Sequence, residues 1–136
     1  MDRAKQFQQL VKRCAREGIA VVEARLPGTL TGVFDLHARR VYLRRGMTAG
    51  QQLATLAHEL EHARRGDDGH QGRAVEDTIN EKVAAQLISV SEYASAERLH
   101  GGHSGAIALE LDLPRWVVSA YRRRLWRVGL QAERAG

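Results

Sequence analysis

Residues 48–65 read TAGQQLATLAHELEHARR and contain His58-Glu59-Leu60-Glu61-His62, two histidines four positions apart with a glutamate directly after the first. On an α-helix, residues four apart stand one above the other on the same face, so both imidazoles can aim a ring nitrogen at one metal ion. Glu59 lies about 100° round such a helix from His58, close enough to poise a water held by that ion and act as its general base. Thr48 followed by Gln51 is a capping box that starts the helix just after Thr48. Leu53, Leu56, Leu60 and Ala63 recur at helical spacing and form an apolar stripe. That stripe falls opposite His58 and His62, with Thr55 between the histidines in angle, which predicts one face on a core and the other on a cleft. The HExxH pattern also occurs by chance on surface helices, so a third ligand decides its meaning.

Residues 64–72, RRGDDGHQG, are polar and glycine-rich and predict a loop. A further helix is expected from Arg73 to about Ile88, with Val75, Ile79, Val83 and Leu87 as its stripe. Glu76 lies on that same side and Glu81 nearly opposite, which makes Glu76 the inward carboxylate and Glu81 a surface one. An isolated buried carboxylate is expensive, and coordination to a metal removes that objection. His58, His62 and Glu76 would form a His₂Glu set with one position open, an arrangement of catalytic zinc. One Zn²⁺ per chain is therefore expected, with Mn²⁺ left open by the same residues. Asn80, one turn after Glu76, is placed to hydrogen-bond a ligating histidine. His70 competes for the third ligand position, but its distance from His62 does not fit HExxHxxGxxH.

The rest of the chain supplies a scaffold of ordinary composition. At 136 residues, 43% hydrophobic and 27% charged, it suits one domain spanning 1–136. No apolar run approaches a membrane span, and the first residues lack a signal-peptide core. The single cysteine, Cys14, excludes an internal disulfide and fits a reducing, cytoplasmic compartment. It falls in phase with Phe7, Leu10 and Val11, as a buried residue of an N-terminal helix from Asp2 to Glu17 would. Ile19–Leu26, Thr31–His37 and Arg40–Arg44 read as strands, the last two as a hairpin, with Pro27-Gly28 as a turn. The expectation is an α+β protein with a small antiparallel sheet, followed by the two helices bearing the candidate ligands.

HELEHA, then Glu76-Asp77-Thr78-Ile79-Asn80 and Val83-Ala84-Ala85-Gln86-Leu87-Ile88, resembles the ImmA/IrrE family of metallopeptidases. That family carries a HELGHA-like helix followed by E-x-x-A-N-x-F-A-A-x-L-L. The resemblance runs over about residues 40–130 and takes in Leu111-Asp112-Leu113-Pro114 and Arg124-Leu125-Trp126-Arg127-Val128-Gly129-Leu130. Glu61 stands where glycine is usual, Ile79 where alanine is, and Lys82 where an aromatic residue is; at the cleft side, Glu61 could crowd or charge the site. The resemblance implies a minimal zincin, gluzincin-like core whose edge strand aligns the substrate. It also implies His58, His62 and Glu76 as ligands and Glu59 as base. Members are often encoded on phages and mobile elements, where they inactivate a helix-turn-helix repressor. A zinc-dependent endopeptidase acting on such a repressor is the function so implied.

A different function is suggested by about residues 104–130, two helices joined at Asp112-Leu113. Ala108, Asp112 and Val118 fall where a helix-turn-helix has alanine, glycine and a branched residue, so the turn glycine is missing. Val117, Tyr121, Leu125 and Val128 form the apolar stripe of the second helix. Net charge is +5, with 18 Arg against 3 Lys, and Arg115, Arg122, Arg123 and Arg127 could face phosphates or an acidic protein. The alternative is thus a non-enzymatic regulator that binds DNA or protein through this pair. His70, Tyr93, His100 and His103 are candidates for stabilising an oxyanion, and none is singled out.

Overall fold

The computed structural model describes residues 2–135, with side chains described for 2–129. The chain forms two compact units, Met1–Ile79 and Asn80–Gly136, whose boundary falls within one helix.

In the first unit, β3 (Arg40–Arg44) is the central strand, between β1 (Ala20–Ala24) and β2 (Gly32–Asp35). β2 and β3 pair antiparallel, with Phe34 opposite Val41 and Gly32 opposite Leu43, so the expected hairpin forms. β1 pairs parallel to β3, with Val21 opposite Val41. The sheet is therefore mixed, which corrects the expectation of an antiparallel one. The segment between β1 and β2 carries the chain across β3, so β1 lands on the far side and runs in the same direction as β3. Arg44 fixes that segment by donating to the carbonyl oxygens of Leu30 (2.8 Å), Leu26 (3.1 Å) and Gly28 (2.6 Å).

Alternation along β3 sends Val41 and Leu43 into the core and leaves Arg40 exposed. Helices α1 (Arg3–Arg16) and α2 (Ala49–Arg65) pack with the sheet around Cys14, Ile19, Phe34, Val41, Leu43, Leu56, Leu60 and Ala63. Asp2 caps α1, its carboxylate accepting from the Lys5 N–H at 3.0 Å. Cys14 is fully buried, and burial, reinforced by Glu17, pushes its thiol up to about 11, so it behaves as an apolar core residue. Each buried Leu, Val or Phe contributes on the order of 1.5–3 kcal/mol. This core holds α2 in place.

The second unit contains the end of α3 (Arg73–Leu87), then α4 (Val90–His100), α5 (Ser104–Leu111) and α6 (Arg115–Ala135). Ser89 caps α4 by accepting from the Glu92 N–H at 3.2 Å. Ile107, Leu111, Leu113, Val117 and Val118 are buried where α5 and α6 meet. Asp112 closes α5 in the left-handed conformation, φ 50°, so an aspartate makes the turn expected of glycine. On α6, Val117 and Tyr121 are buried, whereas Leu125 and Val128 are 44% and 51% exposed, so the predicted stripe is a core contact only in its first half. Among the described residues, no helix is long and apolar enough to cross a membrane.

Candidate metal centre

The capping box starts α2 as its sequence dictates: Thr48 Oγ1 accepts from the Gln51 N–H (3.2 Å) and Gln51 Oε1 from the Thr48 N–H (2.9 Å). This sets the phase in which His58, Glu59 and His62 emerge. The helix is buried on more sides than the stripe alone predicts. His62 is completely buried, and Glu59 and Glu61 are almost so. Glu61 does not charge the cleft with a free carboxylate: it pairs with Arg64 at 3.2 Å, and Arg64 also bridges to Glu17 on the chain following α1.

Gly66 ends α2 in the left-handed conformation, φ 78°, and turns the chain back on the helix. Three residues then fasten the loop. Asp67 Oδ2 accepts from His62 Nδ1 at 2.9 Å, Asp68 Oδ1 accepts from the Leu36 N–H at 3.3 Å, and the Gln71 N–H donates to Glu76 Oε2 at 2.8 Å. Glu76 enters from the first turn of α3. Its Oε1 lies 2.9 Å from His58 Nε2 and 3.1 Å from His62 Nε2, and the two Nε2 atoms are 3.2 Å apart.

These separations match the chemistry of a cation site. Ligands of a tetrahedral ion with bonds of about 2.0–2.1 Å stand about 3.3 Å from one another, close to the observed triangle. A neutral His62 ring that donates Nδ1–H to Asp67 would leave the lone pair of its Nε2 facing the triangle. Two imidazole nitrogens and a carboxylate then offer lone pairs to one point, an arrangement that a divalent cation satisfies. Burial raises the Glu76 pKa, but the Gln71 N–H and His62 outweigh it and hold the carboxyl below its ordinary range. Burial likewise raises Asp67, and its bonds from His62 and Arg65 hold it low. Both carboxyls are thereby kept ionised.

His70 joins this group: ring nitrogens of His58, His62 and His70 and an oxygen of Glu76 all lie within 4.8 Å of one another. His70 Nε2 is 3.4 Å from Glu59 Oε1, yet that buried oxygen has no aligned hydrogen-bond partner among the described residues. The nearby Glu59 carboxylate pushes His70 above the usual histidine range, against a smaller opposing effect of burial.

Asn80 follows Glu76 by one turn of α3 and is half-buried. Glu81 is buried, not a surface residue, and is ion-paired to Arg127 and, at 3.8 Å, to Arg123. Arg122 donates to the Tyr93 hydroxyl at 3.0 Å and Arg115 to Ser104 Oγ at 3.3 Å. All four arginines singled out in the sequence thus have partners inside the second unit. His100 lies 3.9 Å from Glu110, and His103 is the N-cap residue of α5. The residue that the sequence reading passed over is Asp67, which orients His62; His70, a candidate there both as competing ligand and as oxyanion donor, lies in the cluster.

Histidines one turn apart and a glutamate from the following helix converge on one point, with the buried Glu59 beside them. The sequence model of the family Peptidase_M78, IrrE N-terminal-like domain, matches residues 14–120, and the chain belongs to that family. No curated protein matches the chain.

Proposed function

We propose that His58, His62 and Glu76 hold one divalent cation, Zn²⁺ before Mn²⁺, and that Glu59 is the general base of a peptide hydrolysis. The 2.9–3.2 Å triangle of His58, His62 and Glu76 carries this reading. When bound, the cation would supply Lewis acidity, polarising a peptide carbonyl and making water a better nucleophile. Glu59, buried and with one oxygen that has no hydrogen-bond partner among the described residues, takes the proton of the attacking water and returns it to the leaving amine. Asp67 holds the His62 ring in the orientation that presents Nε2, and the Gln71 N–H holds Glu76. Asn80 is the further candidate for supporting a ligating histidine. β2, at the edge of the sheet, is the strand on which an extended peptide would align. Metal analysis tests the assignment: one zinc per chain in the purified protein, retained in Glu59→Gln and lost in His58→Ala/His62→Ala.

The substrate we infer is a helix-turn-helix repressor of a phage or mobile element, in a cytoplasmic setting. This rests on the likeness to ImmA/IrrE proteins. Co-purification with a repressor encoded beside it, followed by cleavage mapping, tests it. A second reading, regulation through α5 and α6, gains from one observation: the left-handed Asp112 preserves the turn despite the missing glycine. The internal partners of Arg115, Arg122, Arg123 and Arg127 weigh against DNA binding and leave protein docking as the favoured use of that surface.

A further inference from the structure

His70 remains once the tight triangle has been assigned. Its ring centroid is 6.0 Å from His58 and 5.7 Å from His62, against 4.9 Å between those two. With His70 included the donor atoms lie within 4.8 Å of one another, looser than the 2.9–3.2 Å of the triangle and than the about 3.3 Å between ligands of one tetrahedral ion, so the spacing suits a group just outside the triangle. Its Nε2 approaches, at 3.4 Å, the oxygen of Glu59 that has no hydrogen-bond partner among the described residues. The His70 side chain is 41% exposed and that of Glu59 is 1%, so an incoming peptide can touch the histidine while the base lies beneath it. The loop is fixed by neighbours of His70: Asp67 on His62, Asp68 on the Leu36 N–H and the Gln71 N–H on Glu76. An imidazole keeps at least one N–H whether neutral or charged.

We propose that His70 is a catalytic residue, donating an N–H hydrogen bond to the oxygen of the scissile carbonyl as charge builds on it. This rests on the reading of His58, His62 and Glu76 as a cation site with Glu59 as base. The water oxygen bonds to the carbonyl carbon, and the C=O electron pair moves to the oxygen that His70 stabilises. Glu59 holds the displaced proton. The pair then returns as the C–N bond breaks, and the proton passes to the leaving nitrogen.

The test uses full-length cobalt-substituted protein and a phosphinate tripeptide, whose tetrahedral centre mimics the oxyanion, with binding read from the cobalt absorption. His70→Ala is expected to keep its cobalt affinity within about threefold and to lose phosphinate affinity by about 10²-fold, in the range of oxyanion-donor deletions. His70→Gln, which retains an N–H donor, should recover part of that loss. Cobalt affinity falling more than about tenfold in His70→Ala would make His70 a ligand and overturn the proposal. Unchanged phosphinate affinity would overturn it as well, as would failure of the wild-type cobalt protein to bind the phosphinate. A wild-type protein that binds no cobalt would instead remove the cation reading beneath it.

Discussion

Nδ1 of His62 and Oδ2 of Asp67 are 2.9 Å apart, and this bond orients the one fully buried imidazole of the site. Such carboxylate–histidine pairs fix the tautomer and raise the basicity of the nitrogen that faces the ion. Asp67→Ala should therefore lower zinc affinity by about 10–100-fold, measured by competition with a chromogenic chelator. Asp67→Asn, whose amide oxygen can still accept from Nδ1–H, should lose less. Equal affinities for both variants and the wild type would show that the ring needs no such support.

Gly32 determines how closely β2 can approach the site helix. A Cβ there would stand 2.5 Å from Thr55 Cγ2 and 3.4 Å from Glu59 Cγ. Gly32→Ala is expected to destabilise the protein by about 1–3 kcal/mol, as overpacking does. Thr55→Ser removes the nearer obstacle, so the double variant should recover a good part of that loss in urea denaturation. Purely additive effects would mean that the two positions do not meet.

Metal-free protein should lose stability as the medium turns alkaline. Glu59 raises His70 above the ordinary value of 6.5. A raised folded pKa gives stability that is fully present below the unfolded pKa and lost as pH rises through the folded one. The decline therefore begins above 6.5, and Glu59→Gln should abolish it. Glu76 and Asp67 act oppositely. Held below 4.5 and 3.8, they contribute stability above those values that is lost as pH falls through their folded pKa values. Urea melts of both proteins from about pH 5 to pH 9 check the alkaline arm; the same slope in Glu59→Gln would refute the His70–Glu59 coupling.

Much of this site is legible in the sequence because it is helical. The Thr48–Gln51 cap and the 3.6-residue period fix which way His58, His62 and Glu76 point before any tertiary contact is known. Asp67 is hidden, and His70 is a candidate without a position, because both lie on a loop where Gly66 and Gly69, both at φ 78°, reverse the chain in a way that no periodicity records. Strand direction was hidden for a related reason: side chains alternate with period two in parallel and antiparallel pairs alike. Glu81 was misjudged because its partner, Arg127, lies 46 residues further along the chain. The wheel of α3 carries no information about α6. Periodicity also overran the core at Leu125 and Val128, since an amphipathic pattern does not reveal where the surface that covers it ends.

Of the four α6 arginines singled out in the sequence, Arg115 is the best for testing the docking reading. Reversing Arg122, Arg123 or Arg127 would break bonds to Tyr93 or Glu81, and a lost activity could then reflect a damaged unit. Arg115 is exposed, and its ε-nitrogen donates to Ser104 on the neighbouring α5 at 3.3 Å, a surface bond whose loss costs little. If this surface docks an acidic face of a folded repressor, Arg115→Glu should slow cleavage of that repressor about tenfold or more, because like charges at an interface cost several kcal/mol. Cleavage of an unstructured peptide with the same scissile sequence should stay within about twofold, since such a peptide presents no folded acidic face. Equal slowing of both substrates would make Arg115 a structural residue. Duplex binding by the wild type that weakens steeply with salt and is lost in Arg115→Glu would instead give the surface to nucleic acid, since each phosphate neutralised releases counterions.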